Sequence, residues 1–123
     1  MILAIVVGCA GALGAVARYL IDGTIQDRTY GALPLGTMTV NVIGSLVIGV
    51  VGGLVLFHNT GTTAETVIGA GFCGGLTTWS AASWETLRLF EDDAFTAGFL
   101  NSVGGLAASL AAAGVGLALV ALL

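Results

Sequence analysis

The sequence predicts an all-α membrane protein with four transmembrane helices per subunit, the third of them broken at mid-membrane. Three observations carry that expectation. Of the 123 residues, 57% are hydrophobic and only 8% are charged, at a mean hydropathy of +1.06. So few charges cannot cover a soluble domain of this size, so lipid is the exterior. The charges also cluster, at Arg18 and Asp22, at Asp27 and Arg28, at Glu65, and from Glu85 to Asp93, leaving four long apolar stretches between them. A membrane-spanning helix needs about 20 such residues. Finally, the run Gly71-Phe72-Cys73-Gly74-Gly75-Leu76-Thr77-Thr78-Trp79-Ser80 places adjacent glycines and adjacent β-branched threonines inside the third stretch. Non-helical backbone survives at bilayer depth only where protein or a polar cavity satisfies the freed N–H and C=O groups, and broken helices of this kind mark ion or substrate sites.

The four segments fall at Met1–Ile21, Leu35–Phe57, Ala64–Phe90 and Phe95–Leu123, within one unit spanning 1–123. The first has no basic residues ahead of its apolar run and three further segments follow, so it reads as a retained helix and not a signal peptide. Pro34 stands just before the second, where its missing N–H costs nothing. The connections are short, at Asp22–Pro34, His58–Thr63 and Glu91–Ala94.

Residues four apart share a helical face. The second segment carries Thr37, Asn41, Ser45, Gly49 and Gly53 on one line, the fourth carries Asn101, Gly105, Ser109 and Ala113, and the first has Gly8, Gly11 and Gly14 followed by Ala15 and Arg18. Small residues at this spacing let helices approach closely, so each line reads as a packing face. Asn41 adds a second reading, because a carboxamide near the bilayer centre must find partners and is either a bridge between helices or part of a polar path. Thr37, Asn41 and Ser45 give one face three donors in succession, which Asn101 and Ser109 extend. The first two helices hold no acidic residue at mid-membrane, so a track of neutral donors suits an anion or neutral solute better than a cation-coupled carrier.

Arg18 and Glu85 sit near helix ends, where long side chains either snorkel to the interface or close a polar vestibule. His58 reads as an interfacial residue, and Cys9 and Cys73 as small buried hydrophobes. Isolated titratable groups of this kind form no nucleophile–base pair, so enzyme chemistry is not expected. A net charge of −4 without a single lysine disfavours nucleic acid as a partner. Arg18, Arg28 and Arg88 all fall on the side of the first and third connections, which the positive-inside tendency places in the cytoplasm with both termini outside.

Taken together, Gly14-Ala15-Val16-Ala17-Arg18-Tyr19, the stretch from Gly36 to Ser45, the run from Gly71 to Ser80 with Ser83 and Glu85, and a small-residue-rich fourth helix resemble the CrcB/Fluc fluoride channel family. The resemblance implies an antiparallel, dual-topology dimer of four-helix subunits in the plasma membrane. Pores lined by both subunits would let fluoride leave the cytoplasm down its gradient. It maps the family's pore asparagine onto Asn41, its hydroxyl track onto Thr37, Ser80 and Ser109, and a ring edge onto Trp79, with Arg18 and Glu85 as vestibule or structural residues. It also implies a central Na+ held by the backbone carbonyls of Gly74 and Thr77. One departure stands out. Where the family has two phenylalanines three residues apart, this chain has Trp79 and Ala82. That departure and the one-sided arginines favour assembly with a related, oppositely oriented subunit over a homodimer. The competing readings are a small multidrug-type exporter, which would need a membrane-embedded glutamate in the first helix, and a non-conducting partner subunit.

Overall fold

In hydrocarbon every backbone N–H and C=O must be paired within the chain, and this chain meets that demand with helix almost throughout. The computed structural model describes all residues, Met1–Leu123. Helix α1 is Ile2–Gln26, α2 is Leu35–His58, α3 covers 62–76, α4 is Trp79–Glu91 and α5 is Phe95–Ala121. Three of these, α1, α2 and α5, are each long and apolar enough to cross a membrane, with mean hydropathies of 1.9, 2.4 and 2.0. The remaining crossing is divided between α3 and α4. The protein is therefore a multi-pass membrane protein.

The first helix outruns its expected end at Ile21 and continues to Gln26. Hydropathy marks where lipid ends, but backbone bonding does not stop there. Thr24 Oγ1 donates back to the Leu20 carbonyl at 2.6 Å, supporting the extra turn at the aqueous rim. Helix α2 follows the sequence expectation closely. Pro34 precedes it, and Asn59 ends it in the left-handed region at φ 52°, a conformation asparagine tolerates better than most residues.

The break in the third crossing is real, but it lies at the threonines and not at the glycines. Gly74–Leu76 is helical, whereas Thr77 (φ −82°, ψ 158°) and Thr78 (φ −150°, ψ 117°) are extended. Gly75 has a different task. A Cβ there would sit 2.1 Å from the Gly11 carbonyl oxygen, so the glycine lets α3 press directly on the backbone of α1. Two π-helical stretches were not legible in the sequence: Thr66–Cys73 within α3, and Leu100–Gly104 within α5. Such widened turns gather at functional positions.

Close approach of small residues fixes the rest of the bundle. A Cβ on Gly49 would lie 2.1 Å from the Ala113 oxygen, and one on Gly116 would lie 2.4 Å from the Leu46 oxygen, so α2 and α5 touch backbone to backbone. Only 18 of the 123 residues are buried, and the exposed set includes Ile2, Ile5, Leu13, Val16, Leu56, Phe99 and Leu110. This inside-out distribution is what a lipid exterior requires.

A hydroxyl-lined groove at the helix break

The extended Thr77-Thr78 pair exposes backbone polar groups in mid-bundle, and side chains from two helices satisfy them. Asn41, midway along the polar line of α2, meets the Thr78 peptide from both sides. Its Oδ1 accepts from the Thr78 N–H at 2.7 Å, and its Nδ2 donates to the Thr78 carbonyl at 3.0 Å. That reciprocal pairing assigns the two ends of the carboxamide without ambiguity and leaves one amide hydrogen uncommitted. From α1, Arg18 Nη1 donates to the Thr77 carbonyl at 3.3 Å. Thr78 Oγ1 accepts from the Ala81 N–H at 3.1 Å and so caps α4 in the ordinary manner of a threonine at a helix start.

Beside the break, α2, α4 and α5 enclose a groove of about 440 Å³. Hydroxyls from Thr37, Ser45, Thr77, Thr78, Ser83, Thr86, Ser102 and Ser109 line it with the carboxamides of Asn41 and Asn101. Met38, Ile48, Trp79, Ala82 and Leu106 supply the apolar part, and no lining residue is charged. The polar line of α2 therefore splits in two. Thr37, Asn41 and Ser45 face the groove, while Gly49 and Gly53 pack on Ala113 and Val120 of α5. The line on α5 splits likewise, with Asn101, Gly105 and Ser109 on the groove and Ala113 in the contact.

Trp79 lies at the groove's rim, 75% exposed, and the neighbouring wall at Ala82 carries only a methyl group. Ser80 is exposed and does not line the groove; its Oγ lies 3.3 Å from Thr78 Oγ1. Asn101, on the π-helical turn of α5, was noted in the sequence only as an extension of the donor line. Buried to 3% exposure, it donates through Nδ2 to the Ala82 carbonyl (3.1 Å) and to Thr86 Oγ1 (2.9 Å), tying α5 to α4.

Arg18 and Glu85, expected near helix ends, lie inside α1 and at the middle of α4, and both turn inward and do not snorkel. Arg18 reaches the break, as above, and Glu85 Oε1 accepts from the hydroxyl of the buried Thr37 at 2.7 Å. Glu85 also lines a second cavity, of about 410 Å³, at the end of the bundle where the α1–α2 connection lies, together with Asp22, Arg88 and Asp92. His58 stays at the opposite end, its Nε2 3.2 Å from the Val120 carbonyl oxygen, and both cysteines are free. Cys73 is buried, but Cys9 is exposed on α1, contrary to the expectation that both would be buried.

The donor set at Gly74 and Thr77 suits a hard monovalent cation in kind, since neutral carbonyl oxygens are what such ions take. Gly74 is exposed at the surface of the single chain. The Thr77 carbonyl gives one of its two lone pairs to Arg18 and has one to spare.

Comparison with known proteins agrees with this architecture. Residues 5–117 match the family model described as CrcB-like protein, Camphor Resistance (CrcB). A fluoride-specific ion channel FluC 1 of Leifsonia xyli is 42% identical over 111 residues, covering 90% of this chain and 81% of that protein. A fluoride-specific ion channel FluC 2 of Haloarcula marismortui is 44% identical over 112 residues, covering 91% and 87%. A third relative, the fluoride-specific ion channel FluC of Geobacter metallireducens, is 38% identical over 122 residues and covers 95% of each chain. The matched region contains both halves of the broken crossing and both polar lines that build the groove, and the chain belongs to the CrcB-like family.

Proposed function

We propose that the chain is a subunit of a fluoride-selective channel that lets fluoride leave the cytoplasm passively and so limits its toxicity. The observation that carries this reading is the groove itself, which is uncharged, lined by hydroxyl and amide groups, and placed beside a helix break. Fluoride is small and holds water tightly, so a path across the bilayer must replace its shell with close, well-aimed donors. The hydroxyls of Ser45, Ser83 and Ser109, which are engaged by no protein group, and the free amide hydrogen of Asn41 are such groups. The Trp79 ring edge carries partial positive charge and suits an anion at the rim. A mid-path carboxylate is what a cation carrier needs, and none lines the groove.

The groove is open on one side in the single chain, so the pore needs a second subunit to close it. An antiparallel partner with related sequence fits the exposed apolar faces of the bundle. A sodium ion bound by Gly74 and Thr77 carbonyls of both subunits would supply a fixed positive charge near the path. Because Ala82 offers no ring on its wall, a paired homologous subunit that contributes one is favoured over two identical copies.

The test is fluoride efflux from proteoliposomes, measured with a fluoride electrode, using this protein alone and together with any paired homologue. Fluoride release with chloride passing at least a hundredfold more slowly is expected. Release of neither ion in both preparations would refute a conducting role. Conduction only with the homologue present would identify this chain as a partner subunit whose own groove is silent.

A further inference from the structure

Resting on that reading, we infer that the Glu85 carboxylate is a tethered anion that occupies a donor of the path, so that a passing anion must displace it to use Thr37. The geometry begins with Thr37. Its hydroxyl has one hydrogen, and that hydrogen is given to Glu85 Oε1 at 2.7 Å. At 2% exposure, Thr37 faces no bulk water that would offer an exchange. While this bond stands, Thr37 lines the groove but has nothing to donate into it.

The same bond divides two cavities. Thr37 belongs to the wall of the 440 Å³ groove and Glu85 to that of the 410 Å³ cavity, and the two cavities share no lining residue. The Thr37–Glu85 bond, from α2 to α4, is the contact that joins the wall of one cavity to the wall of the other. Glu85 is also poorly settled there, because its second oxygen, Oε2, is buried without any partner. Buried polar atoms are rarely left in that condition. A better-satisfied position is close by. Arg88 lies three residues further along α4, on the neighbouring helical surface, and lines the same cavity. A carboxylate released from Thr37 therefore gains a guanidinium, although Asp22 and Asp92 of that cavity compete for it.

Chemically, carboxylate and fluoride are the same kind of guest for a hydroxyl, each a compact, hard acceptor. Only one of them uses the Thr37 hydrogen at a time. A larger, more diffuse anion such as chloride accepts a weaker bond from a single hydroxyl and is the poorer competitor. Glu85 thus acts as a specificity-determining residue, setting how strong an acceptor must be to open the way.

The experiment compares the wild type with Glu85→Gln in proteoliposomes, reading flux against fluoride concentration and against chloride. The glutamine amide still accepts from Thr37 but carries no charge to defend its place. The half-saturating fluoride concentration is expected to fall at least threefold, and the fluoride-over-chloride ratio at least threefold. Unchanged values in a variant that elutes as the wild type does would overturn the inference, while leaving the channel reading intact if the wild type conducts. Should the variant not fold, infrared difference spectra of protein labelled with carboxyl-¹³C glutamate decide the matter, with Glu65→Gln and Glu91→Gln leaving Glu85 as the one labelled carboxylate. A fluoride-dependent shift of that band supports displacement, and a band indifferent to fluoride excludes it.

Discussion

Replacing Asn41 by leucine removes both hydrogen bonds that the helix break makes with α2. The affected peptide is buried, Thr78 being only 9% exposed, so no solvent takes over. A buried N–H or C=O deprived of its partner costs about 1–3 kcal/mol, and two of them make roughly 2–6 kcal/mol. Against a typical total of about 5–15 kcal/mol, that loss removes much of the margin. Asn41→Asp separates the two roles of this residue. It keeps the acceptor for the Thr78 N–H, loses the donor to the Thr78 carbonyl and sets a negative charge beside the groove. It should destabilise at least as much as leucine, because a carboxylate oxygen then faces the buried Thr78 carbonyl oxygen, and lower fluoride flux more than tenfold. The assay pairs unfolding in detergent, followed by size exclusion and circular dichroism, with electrode-recorded efflux. An Asn41→Leu protein with an unshifted unfolding midpoint and wild-type flux would refute the reasoning, since neither the break nor the path would then depend on this carboxamide.

Other substitutions probe separate parts of the structure. Gly49→Ala drives a Cβ to within 2.1 Å of the Ala113 oxygen and should cost about 1–3 kcal/mol or block assembly, whereas Gly52→Ala meets nothing within 4 Å and should be neutral or slightly stabilising on the same unfolding assay. Arg18→Met leaves the Thr77 carbonyl without its donor; amide hydrogen exchange at Thr77 and Thr78 should accelerate at least tenfold while exchange in α5 is unchanged. Ala82→Phe supplies the ring that this wall lacks, and efflux from vesicles holding this protein alone should rise at least threefold with no loss of thermal stability.

The crossings were legible because lipid imposes one rule over a long stretch, and hydropathy reads that rule directly. Helix α2 is the clearest case, ending at His58 against an expected Phe57. Where the rule lapses, the sequence speaks less clearly. Beyond Ile21 water replaces lipid and helix α1 continues on local bonding, which no apolar count detects. At the break, glycine and threonine both looked like interruptions, but Gly75 is recruited by the backbone of α1 while Thr77 and Thr78 are released by Asn41 and Arg18. That distinction depends on what lies across the bundle, 37 residues away along the chain in the case of Asn41, and no local pattern contains it. The residue types lining the groove were visible as lines of period four. The point at which each line changes from groove to contact was not, because it follows from how α2 and α5 pack on each other. The π-helical turns left no sign at all, since Thr66–Cys73 and Leu100–Gly104 have compositions that an ordinary helix would accept.

The reciprocal bond between Asn41 and the Thr78 peptide also bears on how the molecule is made. A nascent third crossing that reached the bilayer alone would carry a bare amide and a bare carbonyl into oil, and its divided halves are each too short to be held there. It becomes acceptable only when the second crossing is already waiting with its carboxamide in register. The order of synthesis supplies that condition, because residue 41 leaves the ribosome well before residue 78. Chains in which the two crossings are swapped in order should therefore stall at the insertion machinery, even though every contact of the finished bundle is still available to them.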